Sequence, residues 1–276
     1  MKTVLITGAN SGIGKTTATT LSIMGYKVVF VARNIEKAEA TRKEIIEVSG
    51  NKAVDFILAD LMSLSQVEEC ASTFKHRHEN LDILINNAGV CLPERRITED
   101  GFEAMFQINH LSHFLLTNLM LEVLEKNDES RVINVSSAGY KAGKFDLDNL
   151  QSEHHFGSLR TYCNTKLLNI LFTFELAKRL KGTGVTVNTL HPGVVNTNFA
   201  GEMKGIFNVL NRMTKPFLIT PEKGAATSIY LATAGDVRTV TGKYFEKCKA
   251  VEPKNRFINV VNQQLLWDKS MELSGL

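Results

Sequence analysis

The chain has 276 residues, 43% hydrophobic and 22% charged, a composition that excludes disordered and fibrous classes and suits a soluble globular protein. Its formal net charge of +3 is too small for a nucleic-acid surface, and no basic stretch interleaved with aromatics accompanies it. Cys70, Cys91, Cys163 and Cys248 are scattered without Cys-x-x-Cys spacing, which reads as reduced thiols rather than a disulfide framework.

A short strand, Val4-Leu5-Ile6, runs from near Met1 directly into Thr7-Gly8-Ala9-Asn10-Ser11-Gly12-Ile13-Gly14. Further apolar, β-rich runs follow at Lys27–Ala32, Ala53–Leu58, Asp82–Ile85, Arg131–Val135, Val185–Leu190 and Gly242–Glu246. Between them, helical spacing predicts helices over 12–25, 34–49, 63–79, 101–126, 161–181 and 221–233. Thr220-Pro221-Glu222 starts the last of these with a hydroxyl cap, a proline at the first helical position and an acid in the first turn. This alternation implies right-handed βαβ units, hence an α/β doubly wound parallel sheet (a Rossmann fold) covered on both faces. No linker or repeat divides the chain, so a single domain over residues 1–276 is expected.

Two stretches lie outside the alternation. Residues 199–219 are apolar with few charges, a pattern suited either to packing or to a lid over a lipophilic substrate. The tail from Phe257 to Leu276 reads as a short amphipathic helix. No apolar run approaches the ~18 residues that span a bilayer, and the chain enters its first strand without a signal peptide. His76 and His78 would not share a helix face, and His154-His155 lies in a polar stretch, so no metal site is expected.

In an open parallel sheet, ligands bind beyond the carboxyl ends of the strands. Small and hydrogen-bonding residues stand at each such end: the glycine turn, Ala32-Arg33, Asp60-Leu61, Asn86-Asn87-Ala88-Gly89, Ser136-Ser137 and His191-Pro192-Gly193. Glycines at 8, 12 and 14 permit a tight turn, close approach to a diphosphate, and packing of the next helix, whose N-terminus favours the anion. Tyr162 and Lys166 are spaced to share one helix face. An ammonium beside a phenol favours the phenolate, so the tyrosine is expected below its ordinary pKa of about 10 and poised as a general acid–base.

The glycine turn, Asn86-Asn-Ala-Gly89, Asn109, Ser137 and Tyr162-x3-Lys166, in this order, resemble the short-chain dehydrogenase/reductase family over nearly the whole chain. Thr98-Glu-Asp-Gly-Phe102, Ile108-Asn-His-Leu-Ser-His-Phe-Leu-Leu-Thr117, Phe172-x-x-Glu-Leu-Ala-Lys-Arg-Leu180 and the long gap between Ser137 and Tyr162 resemble its retinol dehydrogenases. The resemblance implies that Tyr162 is the proton donor or acceptor and that Lys166 binds the nicotinamide ribose and lowers the phenol's pKa. Ser137, in preference to Ser136, would hydrogen-bond the reacting oxygen, and Asn109 would hold a water linking Lys166 to solvent. Gly8, Asn10, Ser11, Gly12, Ile13 and Gly14 would bind the diphosphate side of the cofactor. Asp60 with Leu61 would meet the adenine, and Asn87, Ala88 and Gly89 the adenosine ribose side. Pro192, Gly193, Val195 and Thr197 would line the nicotinamide end, with Thr197 on the carboxamide.

An acid at the end of the second strand would select NAD and repel the extra phosphate of NADP. Ala32 stands there instead, followed by Arg33. A guanidinium favours a phosphate, so NADP(H) is the expected cofactor, with Lys15 in support. The expected function is interconversion of a lipophilic aldehyde or ketone, retinal/retinol-like, and its alcohol, in the direction of the alcohol. A broad-specificity carbonyl or steroid reductase is the alternative, protochlorophyllide reductases share the same tyrosine and lysine, and a silent NADP(H)-sensing scaffold would be expected to lose Tyr, Lys or Ser. Members of the subgroup commonly carry an apolar anchor before the first strand. The expected location is the cytoplasm, with peripheral membrane contact where such an anchor precedes this segment. The predicted helices 101–126 and 161–181 pair across a homodimer axis in much of the family, or their apolar faces pack within the chain.

Overall fold

In the computed structural model, which describes residues 1–193 and 220–276, eight strands form a single sheet in the order β3-β2-β1-β4-β5-β6-β7-β8. The strands are β1 (Thr3–Thr7), β2 (Lys27–Ala32), β3 (Val54–Leu58), β4 (Ile83–Asn86), β5 (Ser130–Val135), β6 (Val185–His191), β7 (Lys243–Glu246) and β8 (Lys249–Val251). The first seven pair in parallel, and β8 closes the edge antiparallel to β7. The helices of the described residues are α1 (Gly12–Ile23), α2 (Ile35–Ser49), α3 (Leu64–Arg77), the single turn α4 (Ala104–Phe106), α5 (Ser112–Leu124), α6 (Ser158–Arg179), α7 (Pro221–Thr233) and α8 (Val260–Ser274). None is long and apolar enough to cross a membrane.

Strand residues alternate between two cores, as the period of two requires. Val4, Ile6, Val28, Phe30, Ile83 and Ile85 pack with Ala18 and Leu21 of α1, Ala38 and Ile45 of α2, and Leu231 of α7. Leu5, Val29, Leu84, Val132 and Val187 point the other way, onto Phe74 of α3, Phe114 of α5, Phe172 of α6 and Trp267 of α8. Strands buried on both faces need continuous apolar runs, which is why these segments are legible in the sequence.

Local capping sets the helix ends. Asn34 accepts from the Lys37 amide at 2.8 Å and starts α2, which stops at Gly50 with φ +68°. Thr220 accepts from the Lys223 amide, with Pro221 in the first turn of α7. Asn259 accepts from the Asn262 amide at 2.9 Å and starts α8.

Three expectations need correction. The helix predicted over 101–126 is not continuous: Gly101 has φ +84°, Glu103 caps α4 by accepting from the Phe106 amide at 2.7 Å, and Gln107–Leu111 is a π-helical turn before α5. A π turn keeps nearly the apolar spacing of an α-helix, so periodicity does not reveal it. The helix predicted over 161–181 begins earlier, at Ser158. The edge strand β8 has no counterpart among the predicted strands, because its residues are exposed and its tight turn uses Lys247 and Cys248 at positive φ rather than glycine.

The apolar faces of α5 and α6 are covered within the chain. Trp267 of α8 lies 4.9 Å from Phe114 and 6.1 Å from Phe172 by ring centroids, and the Arg179 guanidinium sits 4.3 Å over its ring. All four cysteines are free thiols. The predicted lid over 199–219 lies outside the described residues.

Candidate active site

The chain leaves β1 toward β2 on one side and returns to β4 on the other, so the strand order reverses between β1 and β4. At such a switch point the loops part, and a cleft of about 1050 Å³ opens over the carboxyl ends of the strands. Its lining includes Gly8, Asn10, Ser11, Gly12, Ile13 and Gly14 of the turn, Arg33, Asp60, Leu61, Asn87, Ala88 and Gly89, Ser137, Tyr162 and Lys166, and Pro192 and Gly193.

The turn after β1 is built for close packing. Gly8 has φ +71°, and a Cβ on it would lie 2.8 Å from the Ala88 Cα. A Cβ on Gly14 would lie 2.2 Å from the Gly8 carbonyl oxygen and 2.5 Å from Asn87 Nδ2. Asn87 in turn donates to the carbonyls of Thr7 and Gly8 at 2.8 and 3.2 Å, locking the β4 loop to the β1 turn. Ser11 occupies the N-cap of α1 without capping it, and no acid stands in the first turn. Asn10 Oδ1 is buried with no partner. Uncapped helix amides facing a cleft favour an anion, and the glycine cradle leaves room for one at backbone distance, so these residues fit a dinucleotide diphosphate.

On the lip beside β2, Arg33 and Lys37 are exposed and line the cleft. Lys37 lies one turn into α2, so its contribution depends on where Asn34 starts that helix. Asp60 Oδ1 accepts from the Met62 amide at 3.0 Å, and the Asp60 amide donates to Gln66 Oε1 at 2.9 Å, which shapes the loop after β3.

The reactive end lies between β5 and α6. Ser136 is buried and donates to the Lys166 carbonyl at 2.7 Å, so it ties β5 to α6. Ser137 hydrogen-bonds the Tyr162 hydroxyl. Lys166, 3% exposed, donates to the Val135 carbonyl at 3.0 Å, with Nζ 5.6 Å from the Tyr162 ring centroid. A Cβ on Gly89 would lie 3.0 Å from Lys166 Nζ, so the β4 loop closes over the lysine. Burial pushes the Lys166 amine down to about 8. Burial also raises the Tyr162 phenol above its ordinary value, while the Ser137 hydrogen bond works against that rise.

Asn109 stands in the π turn behind the cleft. Its Oδ1 accepts from the Val90 amide at 2.8 Å, and its Nδ2 donates to the Val90 carbonyl at 2.9 Å and to Thr165 Oγ1 at 3.0 Å. The side chain thus joins the β4 loop to the tyrosine helix. Among the described residues, no three His, Cys, Asp or Glu side chains gather as a metal site would require.

A family model described as short chain dehydrogenase matches residues 2–205. The chain belongs to the short-chain dehydrogenase family. Retinol dehydrogenase 11 of Mus musculus is 40% identical over 275 residues, covering 100% of this chain and 87% of that protein. Retinol dehydrogenase 13 of Homo sapiens is 42% identical over 282 residues, covering 100% and 85%. Among solved structures, an uncharacterized protein from Mycobacterium paratuberculosis aligns with a TM-score of 0.81 at 30% identity, covering 100% of this chain and 94% of that one. A variant of actinorhodin polyketide ketoreductase, solved with NADPH, aligns with a TM-score of 0.69 at 25% identity, covering 88% and 94%. This short-chain dehydrogenase is therefore an oxidoreductase of a family that works with NAD(P).

Two expectations for the dehydrogenase's site are overturned, and three of its predicted residues are not among the described lining of the cleft. Lys15 does not line the cleft: its ammonium bonds Glu44 at 2.7 Å, bracing α1 against α2. The Tyr162 phenol is not below its ordinary pKa, because desolvation outweighs the hydrogen bond that favours the phenolate. Asn109 belongs to the wall behind the cleft rather than to its lining. Val195 and Thr197 lie outside the described residues.

The structure adds contacts to which motif reading assigned no role. Thr7 Oγ1 accepts from the amides of Asn87 and Ala88, both at 3.0 Å, so its own hydrogen goes to His113 Nε2 at 2.9 Å. That leaves the His113 proton on Nδ1, which donates to the Asn109 carbonyl at 3.3 Å. Asn86 Nδ2 donates to Thr117 Oγ1 and Asn134 Oδ1, both at 2.8 Å, carrying polar contacts across the sheet into α5. The available signal was a polar residue at the end of an otherwise apolar strand, at Thr7, Asn86 and Asn134.

Proposed function

We propose that this enzyme reduces a lipophilic aldehyde or ketone, of the retinal type, to its alcohol with NADP(H). The observation that carries the reading is the contact of Ser137 with the Tyr162 hydroxyl beside a buried Lys166, on the wall of a cleft whose other end holds uncapped α1 and two cations. When bound, the nicotinamide supplies the hydride. Tyr162, held as the neutral phenol by burial, gives its proton to the carbonyl oxygen, and Ser137 hydrogen-bonds that oxygen as negative charge develops. Lys166 in its ammonium form favours the phenolate left behind. Arg33 and Lys37 would pair with an adenosine phosphate, and no carboxylate stands at Ala32 to repel it. The names of the retinol dehydrogenase relatives support the substrate class, and the NADPH of the ketoreductase neighbour supports the cofactor.

The test is NADPH consumption with all-trans-retinal, a simple aromatic aldehyde and a steroid ketone, with NADH as the comparison. Fast turnover of retinal with NADPH is the expected result. Turnover of the other carbonyls alone would keep the chemistry and remove the retinoid substrate. Tyr162→Phe is expected to lower kcat by about 10²–10⁴ with NADPH binding intact, and undiminished turnover by that variant would sink the mechanism.

A further inference from the structure

We propose that His191 is a positioning residue whose imidazole Nδ1 holds the Ala138 amide and thereby sets the turn that presents Ser137 to Tyr162; the proposal rests on the carbonyl-reductase reading above. Ser137 stands at the N-cap of a 3₁₀ turn, Ala138–Ala142, with extended backbone. Its hydroxyl accepts from the Gly139 amide at 3.2 Å and also meets the Tyr162 hydroxyl. The Ala138 amide is left over by that cap, and it donates to His191 Nδ1 at 3.1 Å. His191 ends β6 and itself lines the cleft, so one ring joins the β6 end to the serine turn.

The far end of the turn is held by groups that do not titrate. Asn255 Nδ2 donates to the carbonyls of Tyr140 and Gly143 at 2.8 and 3.0 Å. The His191 contact is different in kind. An imidazole accepts at Nδ1 only while that nitrogen is unprotonated; the imidazolium has two donors and no acceptor. Protonation of His191 therefore sets N–H against N–H and releases the serine turn.

The charged groups around the ring balance one another. Glu246 on β7 lies opposite His191 in register and favours the imidazolium, while Lys141 on the turn disfavours it. Lys141 Nζ is 3.8 Å from Glu246 Oε1, and the Tyr244 hydroxyl donates to the same oxygen at 2.9 Å. Tyr162 and Lys166 of α6 line the same cleft as His191, and the Tyr140 phenol of the turn accepts from the Lys254 amide at 3.3 Å. Burial is the largest influence on His191 and keeps the ring neutral below the ordinary imidazole range.

The experiment compares the full chain with His191→Asn and His191→Ala, reading kcat and KM against pH from about 5 to 8. Asparagine keeps a carbonyl acceptor near the Nδ1 position but cannot titrate. His191→Asn is expected to keep kcat within about threefold at neutral pH and to lose the acid limb of the wild-type profile. His191→Ala is expected to lower kcat about tenfold with NADPH KM nearly unchanged, the loss of one hydrogen bond that matters at the reacting centre. An acid limb identical in wild type and His191→Asn, or full kcat in His191→Ala, overturns the proposal. A second readout is independent of turnover: the Ala138 amide proton resonance should follow the His191 titration in wild type and stay flat in His191→Asn. An Ala138 resonance that ignores the imidazole overturns the proposal by itself. Absence of any carbonyl turnover by the wild type would instead overturn the function above, and the amide titration would then decide the His191 contact alone.

Discussion

At the scale of single residues, the site combines positions that tolerate no side chain with positions that need one charge. Gly14 is the clearest of the first kind, since any Cβ would overlap the Gly8 carbonyl that the turn must place there. Arg33 is of the second kind. It is exposed, so its structural worth is small, and under the proposed function its value lies in cofactor choice. Arg33→Glu is expected to raise the KM for NADPH by about 10- to 100-fold, the range for losing a charge-assisted contact and adding a repulsive one. The KM for NADH should change little. Equal loss for both cofactors in steady-state kinetics would remove Arg33 from the phosphate site.

At the scale of elements, the π turn Gln107–Leu111 and the helix that follows it hold two buried histidines in different jobs. His113 links Thr7 to the Asn109 carbonyl, and His110 Nε2 donates to Ser270 Oγ at 2.9 Å, tying the turn to α8. Thr7→Val would strip an acceptor from two amides and a donor from His113 at once. The expected loss is about 2–4 kcal/mol in urea unfolding, and a loss below about 0.5 kcal/mol would mean the hydroxyl is not the hub described. Burial pushes both imidazoles down to about 3. Below about pH 6.5 the unfolded chain therefore takes up protons that the folded chain refuses. These groups' contribution is complete above that value and falls by about 1.4 kcal/mol per pH unit per histidine as pH drops toward 3. His110→Leu should flatten the acid slope of unfolding stability by one such share, and an unchanged slope would show that His110 protonates without unfolding.

At the scale of the whole molecule, α8 completes the core rather than trailing from it. Its Trp267 joins Phe114, Phe172 and the Arg179 guanidinium, covering an apolar face of α5 and of α6. Trp267→Ala is expected to destabilise by about 3–5 kcal/mol, the range for emptying a buried aromatic site. A loss under about 1 kcal/mol would mean that α8 is an appendage. Because α6 bears the tyrosine and lysine, the same variant should lower kcat beyond its effect on the folded fraction, measured at matched stability in an osmolyte.

Most of the cleft lining is legible in the amino-acid sequence because its signals are local. A parallel sheet buried on both faces demands short apolar runs, and ligand chemistry must then sit in the few residues after each run. Gly8, Asn87, Ser137, Tyr162 and Arg33 can therefore be found by reading strand ends and one helix repeat. Choosing Ser137 over Ser136 on physical grounds needs the fold, because only packing shows that Ser136 is consumed by the Lys166 carbonyl. The Thr7–His113 contact joins residues 106 positions apart, and no pattern within one element encodes it. The direction of the Tyr162 pKa is likewise a tertiary property: spacing puts an ammonium near the phenol, but burial sets how much either charge is favoured. Sequence thus determined which groups stand at the mouth of the sheet, and the tertiary structure decided which of them stay free to react, because each buried donor or acceptor takes its partner from wherever the fold brings one.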